Sequence, residues 1–272
     1  MRKLDVVIPH LNYERLNECL ETLRTNTPEG VIGKVILVDQ NPEKKDYGDL
    51  VDIHIRTKNL GYAKACNTGM RLADAQYVMC CNDDVRFVNK KWWDGIEKAF
   101  DSDDKIALLN PSTFRDPIAE TGEVITMQGM EKYEKEDMPD EVYDRLVVDY
   151  WHSSGFCMFC PIFKRELMDK IAGVVPGRAW FNEAFKIGGG EDYAMQWHIG
   201  RSGLKSYSIG MSWVFHWWYQ TKHPLSGEIG AKYDSSWLEL YSKRDENGNI
   251  IDTPDTQGNS GRDDVPVVTI RD

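Results

Sequence analysis

Val35-Ile36-Leu37-Val38-Asp39 runs four apolar residues straight into a carboxylate, and that pattern leaves few folds open. A strand with no polar face must be buried on both sides, which is the situation in a parallel sheet covered by helices. Leu4-Asp5-Val6-Val7-Ile8 reads as a shorter strand ending at Pro9, and Asp52-Ile53-His54-Ile55-Arg56 as another. Tyr77-Val78-Met79-Cys80-Cys81 is again strand-like and runs into Asn82-Asp83-Asp84-Val85. Between these runs, Asn12 is placed to cap a helix whose Leu16, Cys19, Leu20 and Leu23 recur at helical spacing. Asn59-Leu60-Gly61-Tyr62 opens a small-residue helix through Ala63, Ala65, Cys66, Gly69, Met70 and Ala73. Such alternation predicts right-handed βαβ crossovers and an open α/β sheet. Ligands of such sheets bind beyond the carboxyl ends of the strands, so Asp39 and Asp83-Asp84 mark where a site belongs.

After about residue 100 the rhythm breaks. Lys164 to Ile171 reads as a helix, and Gly188-Gly189-Gly190 as a turn before a helix that starts Glu191-Asp192, acidic as the helix dipole prefers. The net charge of −11 is uneven: residues 131–149 carry eight acidic and three basic side chains, and 243–272 carry seven and four. The first stretch is expected as a solvated or mobile lid, the second as a loosely held polar tail. An acidic balance disfavours nucleic acid, whose phosphates demand basic surface, and is compatible with holding a divalent cation. Six cysteines are too few for a disulfide scaffold, and Cys157 and Cys160, though spaced as CxxC, have no second pair to complete a zinc site, so they read as core cysteines. The N-terminal apolar run stops at Pro9, too short for a signal peptide, and no stretch approaches the ~20 apolar residues of a membrane span. The expectation is a soluble cytoplasmic protein with no transmembrane segment.

Five pieces together resemble the family-2 glycosyltransferases. They are Val6-Val7-Ile8-Pro9-His10-Leu11-Asn12-Tyr13, Ile36-Leu37-Val38-Asp39, Asn59 through Gly69, Asn82-Asp83-Asp84-Val85, and Gly189-Gly190-Glu191-Asp192, in family order and each at its expected strand end or helix start. The resemblance implies an α/β GT-A fold: an open mixed sheet, mostly parallel, flanked by helices in a single large domain. Residues 1–110 would form the nucleotide-sugar-binding half and 111–242 the acceptor-binding and catalytic half, with 131–149 the lid and 243–272 the tail.

It also implies roles for particular residues. Asn82-Asp83-Asp84 stands where the family has its DxD-type motif, with Asn82 in place of the first Asp. Asp84 would take a metal, Mn²⁺ or Mg²⁺, and Asp83 the ribose hydroxyls, since hard cations join carboxylate and phosphate oxygens. Asp39 would accept a hydrogen bond from the base, with Pro9, His10 and Asn12 closing the pocket. His10 replaces a small hydroxyl residue, and Gln40 an Asn or Asp. Lys64 lies where a basic residue often approaches the diphosphate, though it reads equally well as an exposed helix lysine. Asp192 would be the base that takes the acceptor proton, with Glu191 orienting or binding the acceptor. His216 stands near the place of a further metal ligand, with a packed core histidine as the plain alternative and His223 as a rival. Of the aromatics Trp180, Trp213, Trp217 and Trp218, one or two would stack on a sugar.

The implied activity is metal-dependent, inverting transfer of a sugar from a nucleotide-diphosphate sugar to a glycan or other acceptor hydroxyl, with UDP the leading nucleotide and dTDP or GDP alternatives. A retaining transferase, a nucleotidyltransferase, or a non-catalytic nucleotide- or sugar-binding module would fit the same sheet.

Overall fold

The apolar runs become the middle of a sheet. The computed structural model describes residues 3–11, 15–43, 45–113, 133, 135–153, 155–171, 180–183, 185, 190–217, 243–244 and 250–252. β1 (Leu4–His10), β2 (Ile32–Asp39), β3 (Ile53–Arg56) and β4 (Tyr77–Cys80) are parallel and lie side by side in the order β3-β2-β1-β4. Every residue of β1 and β4 is buried, whereas β3 alternates and forms the edge. β1 continues two residues past its expected end at Ile8, through Pro9 to His10. Odd residues of β1 face β4, where the last bond is Cys81 N–H to Val7 O at 2.9 Å. The N–H that Pro9 lacks would point past the end of that ladder, so the proline costs the strand no bond.

α1 (Leu16–Thr25) covers one face and α2 (Tyr62–Met70) the other. Leu16, Cys19, Leu20 and Leu23 pack with Val6, Ile8 and Leu37, while Ala63, Ala65, Cys66 and Met70 pack with Val7, Ile36 and Val38. The small residues of α2 let it lie close to the sheet: a Cβ on Gly69 would fall 2.3 Å from Val7 Cγ1. Arg15 occupies the N-cap position of α1 without a side-chain cap bond, and Asn12 lies outside the described residues. At the amino end of β1, the fully buried Asp5 accepts backbone N–H groups from Lys34, Asp74 and Ala75 at 2.7–3.0 Å. This carboxylate fixes β1 against β2 and the turn before β4. Its burial is balanced by those three bonds.

The second half extends the sheet in a mixed pattern. β6 (Ile106–Ser112), β7 (Trp151–His152), β8 (Ile162–Lys164) and β9 (Lys205–Trp213) continue it as β4-β8-β6-β9-β7. β8 is antiparallel to both β4 and β6, and β6 is parallel to β9. Because β8 claims Lys164, the helix expected from there shrinks to α5 (Arg165–Met168). α3 (Trp92–Ser102) packs across β9. α4 (Asp140–Leu146) lies inside the acidic stretch, which also carries Met138 and Tyr143 into the core. α6 (Glu191–Arg201) follows Gly190, whose φ of 89° suits glycine. Away from the main sheet, β5 (Val85–Arg86) pairs antiparallel with β10 (Phe215–His216). Within 243–272, β11 (Lys243–Arg244) pairs antiparallel with β12 (Ile250–Asp252).

One contact gives a sharp test. A Cβ on Gly95 of α3 would sit 2.0 Å from the carbonyl oxygen of Met211 in β9. Gly→Ala in a helix ordinarily stabilises by ~1 kcal/mol. Here the obstacle is backbone that cannot rotate away, so Gly95→Ala is expected to destabilise by about 1–3 kcal/mol. Urea unfolding checks this, and a stabilised variant would contradict the packing of α3 on β9.

Candidate active site

The sheet order β3-β2-β1-β4 reverses between β1 and β4: the chain leaves β1 toward β2 and later returns on β1's other side. In open sheets of this kind a crevice forms at such a reversal, because the crossover helices lie on opposite faces. His10 ends β1, and Asn82-Asp83-Asp84 follows β4. The two ends meet directly, His10 Nδ1 lying 2.7 Å from Asp83 Oδ2, with the imidazole almost wholly buried. Burial pushes the Asp83 carboxyl above its ordinary range and Asp84 adds to that, while the bond to His10 pulls it back.

The β5–β10 ribbon brings a second pair together. His216 lies opposite Val85 in the ladder, and Trp217 N–H donates to Asp84 O at 3.2 Å. The side chains follow the backbone, His216 Nε2 standing 3.1 Å from Asp84 Oδ1. Phe159 stacks on the imidazole at 4.5 Å and 16°, and Asn82 Nδ2 is 3.4 Å from Nε2. Asn82 Oδ1 is buried with no hydrogen-bond partner among the described residues. A carboxylate, an imidazole and an unsatisfied amide oxygen are a donor set that fits a hard divalent cation such as Mn²⁺ or Mg²⁺. Among the described residues no group of three His, Cys, Asp or Glu could hold a metal alone, so further oxygens would have to come from a ligand.

The acidic start of α6 faces the same place. Asp192 Oδ2 accepts Met158 N–H at 3.1 Å, and the Cys157 thiol donates to the same carboxylate. Burial lifts Asp192 to about 6 against these bonds, and His216 is close enough for its charge to pull the other way. Glu191 is buried beside it. Of the CxxC pair, Cys160 is in the core as expected, but Cys157 is exposed, because the carboxylate holds its thiol at the crevice rather than under the sheet.

The other expected site residues are placed less uniformly. Asp39 ends β2 with its side chain 0% exposed, held by His54 Nε2 at 3.0 Å, Arg56 at 3.5 Å and Asn41 N–H at 3.0 Å. Pro9 is buried in β1, and Lys64 is exposed on α2. Trp180, Trp213 and Trp217 are all buried, and Arg15 covers the Trp217 ring at 3.2 Å. Trp218, His223, Gly188 and Gly189 lie outside the described residues.

Residues 5–172 match the sequence model of the family described as Glycosyl transferase family 2. The chain belongs to that family. Solved structures agree on the fold. A mannosyltransferase, PcManGT from Pyrobaculum calidifontis, in complex with GDP-Man and Mn²⁺, superposes with a TM-score of 0.58 at 17% identity, over 88% of this chain and 64% of that one. GalNAc-T7 with UDP, GalNAc and Mn²⁺ gives 0.58 at 15%, over 79% and 44%. Glucosyl-3-phosphoglycerate synthase from Mycobacterium tuberculosis gives 0.50 at 13%, over 88% and 78%. The chain thus spans less than two thirds of the first two. The fold is the expected GT-A type. No curated protein sequence matches the chain.

Several residues around this crevice carry little signal in the sequence. His54 and Arg56 sit on the outward positions of β3, and the alternation of that strand was the available signal. Met158, Cys157 and Phe159 belong to the apolar run 156–163, and nothing in a run of bulky residues says that its backbone will hold a carboxylate. Among the described residues no helix is long and apolar enough to cross a membrane.

The raised Asp192 carboxyl has a cost in stability. Its charged form is disfavoured in the folded protein, so the penalty is full above about pH 6 and disappears as the pH falls toward the ordinary 3.8. Asp192→Asn keeps an oxygen for Met158 N–H and removes the charge. It is expected to stabilise the protein by on the order of 1–3 kcal/mol near pH 8, with the gain vanishing near pH 4. Thermal unfolding at the two pH values checks this; no gain at either would contradict the burial of that charge.

Proposed function

We propose that this family-2 protein is a metal-dependent, inverting glycosyltransferase acting on a nucleotide-diphosphate sugar. The observation that carries the reading is the convergence of Asp83, Asp84, His216 and Asp192 on one crevice at the reversal of the sheet. The neighbours named above were solved with GDP-Man or UDP and with Mn²⁺, which supports a nucleoside diphosphate as the common element. UDP is the leading candidate, with dTDP and GDP next.

In this reading His10 holds Asp83 so that its free oxygen meets the ribose hydroxyls. Asp39, braced by His54 and Arg56, would close the base pocket together with Pro9 and His10, with Asn12 outside the described residues, and Lys64 is the candidate for a cation beside the diphosphate. Asp84 and His216, with the Asn82 amide oxygen, would hold Mn²⁺ or Mg²⁺. Bound there, the cation would neutralise charge on the departing diphosphate. The acceptor is a glycan or another molecule with a free hydroxyl. Its oxygen attacks the anomeric carbon as its proton passes to Asp192 Oδ1 or Oδ2. The bond from that carbon to the diphosphate oxygen breaks, and the electron pair leaves on the diphosphate. Attack opposite the leaving group inverts the anomeric centre. Glu191 lines the acceptor side.

A base must be ionised to work. With Asp192 lifted to about 6, the active form is present above that pH and lost below it. The rate at low substrate is therefore expected to fall tenfold per unit below about pH 6. Asp192→Asn is expected to lower transfer by ~10²–10⁴-fold while leaving affinity for a nucleoside diphosphate with Mn²⁺ within about twofold. Steady-state assays with a panel of UDP-, dTDP- and GDP-sugars, read by release of the nucleoside diphosphate, and proton NMR of the product's anomeric configuration provide the test. Full turnover by Asp192→Asn would remove Asp192 as the base, and a product of retained configuration would remove the inverting reading.

A further inference from the structure

Phe159 lies at the seam between the two sides of the crevice. Its ring stacks on His216 at 4.5 Å, only 16° from parallel, and its carbonyl accepts Asn82 N–H at 2.8 Å. The residue before it gives its N–H to Asp192 Oδ2 at 3.1 Å. The flanks of this short segment are pinned as well. Phe156 O accepts Gln196 Nε2 at 2.7 Å, from one turn beyond Asp192 on α6. Cys160 N–H reaches Asn110 Oδ1 at 3.1 Å, and Cys80 N–H reaches Pro161 O at 2.9 Å. A single stretch, 156–161, therefore touches the base, the imidazole of the Asp84–His216 pair and the start of the Asn82-Asp83-Asp84 loop.

We propose that Phe159 is a positioning residue: its ring fixes the plane of His216 toward Asp84, and its backbone spaces Asp192 from the Asn82–Asp84 loop. This rests on the functional reading above. A parallel ring at stacking distance limits how far the imidazole can turn about its contact with Asp84. The spacing matters because small displacements of a reacting group cost rate steeply. The competing account is that Phe159, which is almost wholly buried, merely fills the core. That account predicts a loss of stability alone when the ring is replaced by an apolar side chain of similar volume.

Gln196 offers a separate handle on the base side. It is fully buried, and its Oε1 has no hydrogen-bond partner among the described residues, so an apolar replacement removes one unsatisfied acceptor while leaving the Phe156 carbonyl without its donor. Gln196→Met frees the Phe156 carbonyl and slackens the segment next to Asp192 without touching His216.

The test uses the full chain as wild type, Phe159→Met, Phe159→Tyr and Gln196→Met, with thermal unfolding to establish that each is folded. Mn²⁺ affinity in the presence of UDP is read by electron paramagnetic resonance of free Mn²⁺, and turnover is read with the most active nucleotide sugar. Phe159→Met is expected to weaken Mn²⁺ at least tenfold, while Phe159→Tyr, which keeps the ring, stays within about threefold. Gln196→Met is expected to keep Mn²⁺ affinity within about twofold but to lower kcat at least tenfold with the donor KM unchanged. Wild-type Mn²⁺ affinity in folded Phe159→Met, or equal losses in the Met and Tyr variants, would overturn the role of the ring. Should Phe159→Met not fold, unchanged kcat in Gln196→Met would overturn the role of the segment. A wild-type protein that binds no Mn²⁺ with UDP, dTDP or GDP would instead overturn the functional reading itself.

Discussion

The hydrogen bond between His10 and Asp83 spans the reversal of strand order between β1 and β4, and the crevice is built outward from it. It joins the ends of two neighbouring strands whose amino ends are already tied by Asp5, so β1 and β4 are clamped at both extremities. The clamp forces Asn82-Asp83-Asp84 to leave the sheet in one direction. β5 follows at once and pairs with β10, which delivers His216 to Asp84. α6 then supplies Asp192 from the second half of the chain.

The first half of this construction is legible in the sequence because its physics is local. Runs such as Val35–Val38 have only one environment in which they are stable, and a carboxylate closing such a run marks a strand end. Beyond residue 100 the same logic fails for identifiable reasons. β9, with the sequence Lys-Ser-Tyr-Ser-Ile-Gly-Met-Ser-Trp, is buried almost throughout, yet its small serines and glycine do not read as a strand. β8 hides in an apolar run whose members look alike. Asp5 and Asp83 are both strand-associated aspartates. Only three-dimensional placement separates the one that accepts three backbone N–H groups from the one that faces a crevice. The departure at His10 was visible as a substitution, but its partner was not.

Charge is distributed with the same division of labour. Within the acidic stretch that contributes much of the −11, Asp137 pairs with Arg86, and Asp140 and Asp144 with Lys91. The more exposed pairs to Lys91 contribute little each, and they seat α4 on the fold. The carboxylates of the crevice behave differently. Asp83 and Asp192 are both raised by burial, so the folded protein holds charge where it is least comfortable. Structures tolerate such strain where a ligand or a reaction relieves it.

The central claim is that the crevice at the β1–β4 reversal binds a nucleoside diphosphate through a divalent cation. A crystal structure grown with UDP and Mn²⁺, with the metal located by its anomalous scattering, tests it most directly. The account predicts one Mn²⁺ between Asp84 and His216, bridged to diphosphate oxygens, with the ribose against Asp83. A metal or nucleotide bound elsewhere on the sheet, with Asp84 and His216 still bonded to each other, would contradict it.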